Sequence, residues 1–329
     1  MNRKRKYDLK EFLTDYALII VVIMMIIFTG VTRKNFLSLN NLSNLMANVS
    51  VRFIIALGVS GCLIIKGTDL SAGRIVGLSA LITGTMVQNP DYPSKFFENL
   101  PDMPVFVPLL IVLGVCALFG LINGLIVAYL HVPPFLATLG TQIMIYGINM
   151  LYSQNKPIGY FKRSFIKIGQ GKIFFIPYLA LIAAVVGLIM WVLFNKTRHG
   201  KYMYAIGGNE AAAEVSGVNV EKSKIKIYTL AGFLYGLAGY LLTAKTGSVG
   251  PGVGQGYELE AIASATIGGV STSGGQGTIS GILLGVFVFE LLKIALSFLG
   301  VSPDMTNVIQ GIVIVIAVAL DVRKTLVRR

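Results

Sequence analysis

The sequence predicts an all-α polytopic membrane protein. Residues 17–28 read ALIIVVIMMIIF and are apolar without interruption, and roughly 20 such residues let a helix cross a bilayer core about 30 Å thick. The chain is 54% hydrophobic and 13% charged, with a mean hydropathy of +0.74. Because soluble domains average about 25% charged residues, this composition excludes a soluble helical bundle.

Apolar segments of similar length recur almost to the end of the 329 residues and leave no room for a soluble catalytic domain. We therefore expect a single transmembrane domain, residues 1–329, with about 10 helices. The predicted spans are residues 15–30, 49–66, 74–88, 106–130, 134–153, 174–195, 226–245, 257–271, 277–299 and 305–321.

Basic residues near the two termini set the expected orientation. Residues 3–6 read RKRK and residues 323–329 read RKTLVRR, and such clusters favour the cytoplasmic side. No small-residue cleavage site follows the first apolar run, so we interpret it as an uncleaved span. Both termini are then cytoplasmic, which requires an even number of crossings. The net charge of +13 is concentrated in these clusters and one central loop, so nucleic-acid binding is not expected.

Three loops follow from this topology. Residues 196–226 hold six lysines and arginines and fall on the cytoplasmic side. Residues 89–104 are acidic and proline-rich and fall outside. Residues 154–173 also fall outside although they hold five basic residues, which runs against the positive-inside tendency.

Glycine-rich polar segments separate two pairs of spans. Residues 67–73 read GTDLSAG and residues 268–277 read GGVSTSGGQG. One interpretation is that they are equivalent breaks in two related halves, because transporters place their substrate route at such interruptions. The alternative is that both are ordinary short cytoplasmic turns.

Several kinds of chemistry have no signature in the sequence. The Walker pattern GxxxxGK[ST] is absent, and His131 and His199 are isolated from other metal-ligand residues. We therefore expect the chain to bind no metal or cofactor and to catalyse no reaction. Cys62 and Cys116 both lie within apolar runs and are interpreted as small core residues.

Polar residues in the predicted spans are candidates for a translocation path or gate. Asp69 and Arg74 flank the first break, where they could orient helices or gate a path, or simply lie at the cytoplasmic surface. Glu290 and Lys293 are three residues apart and are expected to neutralise each other. Uncharged groups could either bond helices together or line the path. The full candidate set is Asp69, Ser71, Gly73, Arg74, Asn123, Thr138, Thr141, Gln142 and Asn149.

The loop 196–226 contains a short predicted helix. Asn209 is a favourable N-cap, an acidic residue follows in the first turn, and Gly217 is placed to end the helix. Such a rigid, solvated helix between two spans is suited to contact a partner protein, although it could also be a loop helix without a partner. The residues expected to make the contact are Asn209, Glu210, Ala211, Ala212, Ala213 and Gly217.

Six segments of the chain resemble the monosaccharide branch of bacterial ABC-importer permeases, and the likeness runs from about residue 35 to 321. These segments are GTDLSAGR at 67–74, GLING at 120–124, PFLATLGT at 134–141, AIGGN at 205–209, SGVNV at 216–220 and GGVS at 268–271. The resemblance implies a homodimer in the bacterial cytoplasmic membrane, in contact with its lipid. It also implies a separate ATPase that binds ATP and Mg²⁺, an extracytoplasmic sugar-binding protein, a monosaccharide substrate, and a coupling role for the 205–220 segment.

Within that branch, three further segments most resemble permeases for galactose and methyl-galactoside. They are RFIIALGV at 52–59, YGIN at 146–149 and AVALD at 317–321. The alternatives are another monosaccharide, such as ribose or xylose, or a nucleoside. A stand-alone secondary transporter is a less favoured alternative, because no convincing proton-relay chain is visible, and a gated channel is a third.

Overall fold

A computed structural model describes residues 22–327, with side chains described as far as residue 319. Helices dominate this part of the chain. They are α1 (Val22–Thr32), α2 (Leu39–Ile64), α3 (Ala72–Met86), α4 (Phe106–Tyr129), α5 (Pro134–Ser153), α6 (Arg163–Gln170), α7 (Tyr178–Lys196), α8 (Arg198–Gly208), α9 (Glu210–Val215), α10 (Val220–Thr246), α11 (Tyr257–Ile267), α12 (Ile279–Phe298) and α13 (Pro303–Val327). A small antiparallel hairpin, β1 (Lys172–Ile173) and β2 (Ile176–Pro177), pairs Ile173 with Ile176.

Each predicted span has a corresponding helix, which confirms the all-α polytopic fold. Five helices, α2, α4, α7, α10 and α12, are long and apolar enough to cross a membrane, and α1, α3 and the first part of α13 are shorter apolar helices. The start of the first predicted span and the basic clusters at residues 3–6 and 323–329 lie outside the described side chains.

Capping residues move several helix boundaries away from the predicted ones. Helix α2 starts at residue 39 instead of 49, because the Ser38 hydroxyl accepts a hydrogen bond from the Asn41 N–H at 3.2 Å. Helix α10 starts at residue 220 instead of 226, with Asn219 as its N-cap.

Two further boundaries differ from the predicted ones. Helix α7 starts at residue 178 instead of 174, after the hairpin. Helix α11 ends at residue 267, before Gly268, instead of at 271.

Helices α2 and α10 form the centre of the molecule, and glycines bring their neighbours close. A Cβ atom on Gly232 of α10 would lie 3.0 Å from the Cα of Gly120 on α4. Close backbone approach of this kind is typical of helix packing in membranes. The thiols of Cys62 and Cys116 are free and fully buried in this core, as the sequence predicted.

The loops separate to opposite ends of the helices. The segments 89–104, 154–173 and 247–249 meet at one end, where Ile158 and Val249 exchange backbone hydrogen bonds of 2.8 Å and Lys162 pairs with Asp102. Helices α8 and α9 lie at the other end of α10, about 40 Å away for a helix of 27 residues. Lys162 is one of the five basic residues in the loop 154–173, where the positive-inside tendency disfavours them. Its charge is neutralised by the ion pair with Asp102.

Candidate functional site

The first glycine-rich break forms a buried polar cluster at the start of α3. The carboxylate of Asp69 is fully buried and accepts three hydrogen bonds. They come from the Ser71 N–H at 3.0 Å, the Ser71 hydroxyl at 2.6 Å and the Tyr235 hydroxyl at 3.1 Å. A buried charge needs such partners, and here they tie the break to α10.

The same cluster continues onto α4 and α5. The Asn123 amide donates to the Ser71 hydroxyl at 2.9 Å, and the Thr141 hydroxyl donates to the Asn123 carbonyl at 2.6 Å. The Thr138 hydroxyl accepts from the Leu70 N–H at 3.1 Å. These three side chains therefore bond helices together, the first of the two roles considered for them.

Arg74 is 8% exposed and lies in the first turn of α3. Its Cζ atom is 4.5 Å from the centre of the Tyr146 ring. The carboxylate of Glu258 on α11 lies beside the neighbouring Gly73. The Gln142 amide donates to that carboxylate at 3.2 Å. Burial of Asp69 and Arg74 argues against the alternative in which both lie at the cytoplasmic surface.

Gly73 and Asn149 complete the site. A side chain at Gly73 would collide with the Glu258 carboxylate and the Gly254 carbonyl, so the backbones pack here without room for a Cβ. The Asn149 amide donates to the Arg74 carbonyl at 3.2 Å. Thus the structure brings all nine candidate path residues together around the start of α3.

Three buried polar atoms in this site have no hydrogen-bond partner among the described residues. They are Nη1 of Arg74, Oδ1 of Asn149 and Oε2 of Glu258. Buried polar atoms are nearly always paired with protein or water. These three atoms therefore have hydrogen-bonding capacity that the described residues do not use.

Glu258 and Tyr235 were missed by the sequence reasoning. Glu258 lies in a predicted span, and an ionisable residue at membrane depth is a signal of function. This signal was sufficient to place Glu258 among the candidate path residues. The contact between Tyr235 and Asp69 spans 166 residues of chain and has no local sequence signature.

The second glycine-rich break lies elsewhere. The Gly275 N–H donates to the Ile64 carbonyl at 2.8 Å, at the end of α2, and the Lys66 ammonium lies 3.4 Å from the Gly208 carbonyl. This break therefore packs against α8 and not against the site at Arg74. Equivalence of the two breaks as halves of a repeat stays a prediction.

The short helix in the central loop is present as predicted. The Asn209 side chain accepts from the Ala212 N–H at 3.0 Å, and Gly217 has a positive φ of 84° after the last turn. Ala211 and Ala212 are exposed, whereas Ala213 is 4% exposed and packs into the core. Ala213 is thus positioned to anchor the helix and not to offer a contact surface.

Neighbouring residues hold α9 in place. The Lys224 ammonium pairs with the Glu210 carboxylate at 2.7 Å and links α9 to α10. Helix α8, which was predicted as loop, precedes α9 and starts at the Thr197 N-cap. Burial, and secondarily the charge of Lys226, lowers the pKa of His199.

Glu290 and Lys293 pair at 3.4 Å, as expected, within a larger charged network. Arg52 contacts Glu260 at 3.2 Å and Glu290 at 3.5 Å, and Lys293 also contacts Glu260 at 3.1 Å. The Arg52 guanidinium lies over the Tyr257 ring at 3.4 Å. This network joins α2, α11 and α12.

Polar residues buried between the helices of a membrane protein commonly mark a substrate or ion pathway. Residues 41–318 match the family described as branched-chain amino acid transport system / permease component. The chain belongs to this permease family.

Relatives share nearly the whole chain. The galactose/methyl galactoside import permease protein MglC of Escherichia coli K12 is 46% identical over 95% of this chain and 96% of its own length. MglC of Haemophilus influenzae is 42% identical over 98% and 97%, and the ribose import permease protein RbsC of the same organism is 34% identical over 97% of each chain. No solved structure matches the chain.

Proposed function

We propose that this chain is the membrane-spanning permease subunit of an ATP-driven importer for galactose, glucose or methyl-galactoside. The single observation that carries the proposal is the identity of 42–46% with galactose/methyl galactoside permeases along almost the full chain. The ribose permease at 34% supports the alternative cargo less well. The family description names branched-chain amino acids, whereas the relatives with 42–46% identity are permeases for galactose and methyl galactoside. The proposed cargo follows these relatives.

The substrate passes the polar site at the start of α3 in this proposal. A hexose is neutral and rich in hydroxyls, and the unpartnered atoms of Arg74, Asn149 and Glu258 could exchange hydrogen bonds with it. Weak, scattered polar contacts of this kind let a sugar pass without trapping it. The chain itself is non-catalytic in this scheme.

ATP and Mg²⁺ bind to a separate ATPase, which contacts this chain at α9. The support for this contact is the exposure of Ala211, Ala212 and Val215, the last being 88% exposed. A rigid, capped helix with exposed small and apolar side chains loses little entropy when it packs against a partner protein.

A second copy of the chain contacts α5. Along one face of this helix, Gly140 and Gly147 have no atom within 4 Å of a Cβ position, and Ile143 is 64% exposed. Small residues seven apart permit close approach of a partner helix. An extracytoplasmic sugar-binding protein delivers the substrate at the end opposite α9, with both termini of the chain cytoplasmic.

Reconstitution in liposomes tests the proposal. The chain alone should neither hydrolyse ATP nor accumulate methyl-galactoside, and addition of its ATPase and binding protein should produce both activities. Competition should rank galactose and glucose above ribose. Uptake by the chain alone along a proton or sodium gradient would contradict the proposal, as would a complete complex that transports ribose and ignores hexoses.

A further inference from the structure

A cavity lies at the end of the molecule opposite α9. It has a volume of about 560 Å³ and forms where residues 88–96, residues 154–160 and Ser248 meet. Small-molecule sites usually have volumes of about 300–1,000 Å³. The cavity is separate from the polar site at Arg74, and α3, about 20 Å long, runs between them.

The walls of this cavity are fixed by hydrogen bonds. The Gln88 side chain donates to the Gly159 carbonyl at 3.0 Å and accepts from the Phe96 N–H at 2.7 Å. The Asn89 N–H donates to the Tyr160 carbonyl at 2.7 Å. Gln88 thus clamps two loops together, and a rigid site of this kind loses less entropy when a ligand binds.

Three non-glycine residues of the same loop have strained backbones. The φ angles of Gln154, Asn155 and Tyr160 are 51°, 58° and 59°. A positive φ is uncommon for residues other than glycine, and such conformations cluster at ligand sites. For a bulky residue such as Tyr160 a positive φ is a genuine outlier. The folded loop therefore holds Tyr160 in an unfavourable backbone conformation.

The strained backbone presents an aromatic surface to the cavity. The ring of Tyr160 stacks on that of Tyr92, with 4.3 Å between centroids and 16° between planes, and Tyr160 remains 69% exposed. The face of an aromatic ring carries partial negative charge. It therefore attracts the weakly positive C–H groups on one face of a pyranose ring.

Hydrogen-bonding groups surround the tyrosines. Lys95, Lys156, Gln154, Ser94 and Ser248 line the cavity, and no carboxylate does so among the described residues. Lysine ammonium and amide groups donate to sugar hydroxyls, and serine hydroxyls both donate and accept. A flat ring face bordered by donors and acceptors is complementary to a hexose, which has C–H groups on its faces and hydroxyls at its edge.

We infer that this cavity is a low-affinity hexose-binding subsite on the permease itself, which receives the sugar before it reaches the site at Arg74. The inference rests on the proposed transport of galactosides. Two helices connect the sites, because Gln88 follows α3 and Gln154 follows α5. The Tyr152 hydroxyl on α5 lies 2.7 Å from the Thr85 hydroxyl on α3. These two residues shortly precede Gln154 and Gln88, which line the cavity.

Saturation-transfer NMR tests the inference on the permease–ATPase complex in lipid nanodiscs, without the binding protein. Methyl β-galactoside is the probe, and transfer to its ring protons is expected with the native chain. Tyr160→Gly removes the ring, and glycine adopts a positive φ without steric cost. It should therefore lower the transfer at least about fivefold while the protein stays folded, with a melting temperature close to that of the native chain. Lys156→Met should lower the transfer as well.

Tyr129→Ala is the matched control, because Tyr129 is 56% exposed at the far end of α4. It should leave the transfer unchanged. Absence of transfer with the native chain, or equal transfer in Tyr160→Gly, would overturn the inference. Weaker capture of the sugar-free binding protein by Tyr160→Gly with unchanged sugar transfer would also overturn it, since the cavity would then be a protein contact. Failure of the proposed function is distinguishable, because the complete native complex would then not import galactosides at all.

Discussion

The hydroxyl of Tyr235 on α10 donates a hydrogen bond of 3.1 Å to Oδ2 of Asp69 in the break before α3. Both side chains are fully buried. This bond connects α10, whose first residue follows shortly after α9, with the polar site at Arg74. In the proposed function, movement of α9 and α10 would reach the site through this bond.

Removal of this hydroxyl should destabilise the protein. Tyr235→Phe leaves Asp69 with two of its three donors, and a buried hydrogen bond to a charged group contributes about 1.5–3 kcal/mol. We expect a lower melting temperature in detergent, measured by thermal unfolding. Tyr129→Phe, at an exposed tyrosine, is the control. Equal melting of the Tyr235 variant and the native protein would show that the bond contributes little.

Gly58 supports the same bond from α2. A Cβ at this position would lie 2.7 Å from Cε1 of Tyr235, so Gly58→Ala should displace the ring and reduce both stability and uptake. Gly114→Ala is a matched control, because no atom lies within 4 Å of its Cβ position. This control should be neutral or stabilising by up to about 1 kcal/mol, since alanine favours helix more than glycine does. Equal effects of the two variants would contradict the packing argument.

Arg74→Lys should impair transport while the charge is retained. The planar guanidinium lies over Tyr146, and an ammonium is a compact point charge that does not stack in the same way. The contact between the Arg74 guanidinium and the Tyr146 ring is partly desolvated and worth about 1–2 kcal/mol. If transport depends on this contact, its loss corresponds to an uptake rate lower by about tenfold. Arg163→Lys, at an exposed arginine in α6, should transport normally. The prediction fails if initial uptake rates of both variants match the native rate.

The charged network at Arg52 is suited to a double-mutant cycle. Arg52→Met leaves the Glu260 and Glu290 carboxylates with Lys293 as their remaining ion-pair partner. Because Arg52 and Glu260 are partly buried, the expected loss lies between the roughly 0.2–1 kcal/mol of an exposed pair and the roughly 3–5 kcal/mol of a buried one. Adding Glu260→Gln should restore part of the loss, with a coupling energy of about 0.5–3 kcal/mol. Chemical unfolding measures these differences, and Lys201→Met at an exposed site is the control. Strict additivity would show that the two residues do not interact energetically.

Local patterns predicted the long apolar helices and the α9 cap, because apolar periodicity and capping are properties of neighbouring residues. Asn209 and Gly217 lie within nine residues of each other, and their roles in the helix followed directly. Tyr235 and Glu258 reach the site from distant helices, so their contacts depend on tertiary packing. The cavity at Tyr160 was not predicted, because its walls come from three loops that only the folded chain brings together.

The exposed face of α9 leads to the sharpest test of coupling. Ala212 is exposed on a helix that is capped at both ends, so Ala212→Trp should leave the chain folded and in the membrane. If the helix is seated in a socket of the ATPase, the indole overfills that contact, which typically costs about 1–3 kcal/mol. We expect loss of uptake together with weaker co-purification of the ATPase.

Two further variants distinguish the contact from a general effect on the loop. Gly217→Glu should act in the same direction, because it adds bulk and charge and places a side chain at a φ of 84°. Lys222→Ala, at an exposed position on the first turns of α10, should change little. Normal uptake and normal ATPase binding in both Ala212→Trp and Gly217→Glu would show that coupling runs through another segment. The segment 268–278 would then be the next candidate, because it packs directly on α8 through Gly275 and Gly208.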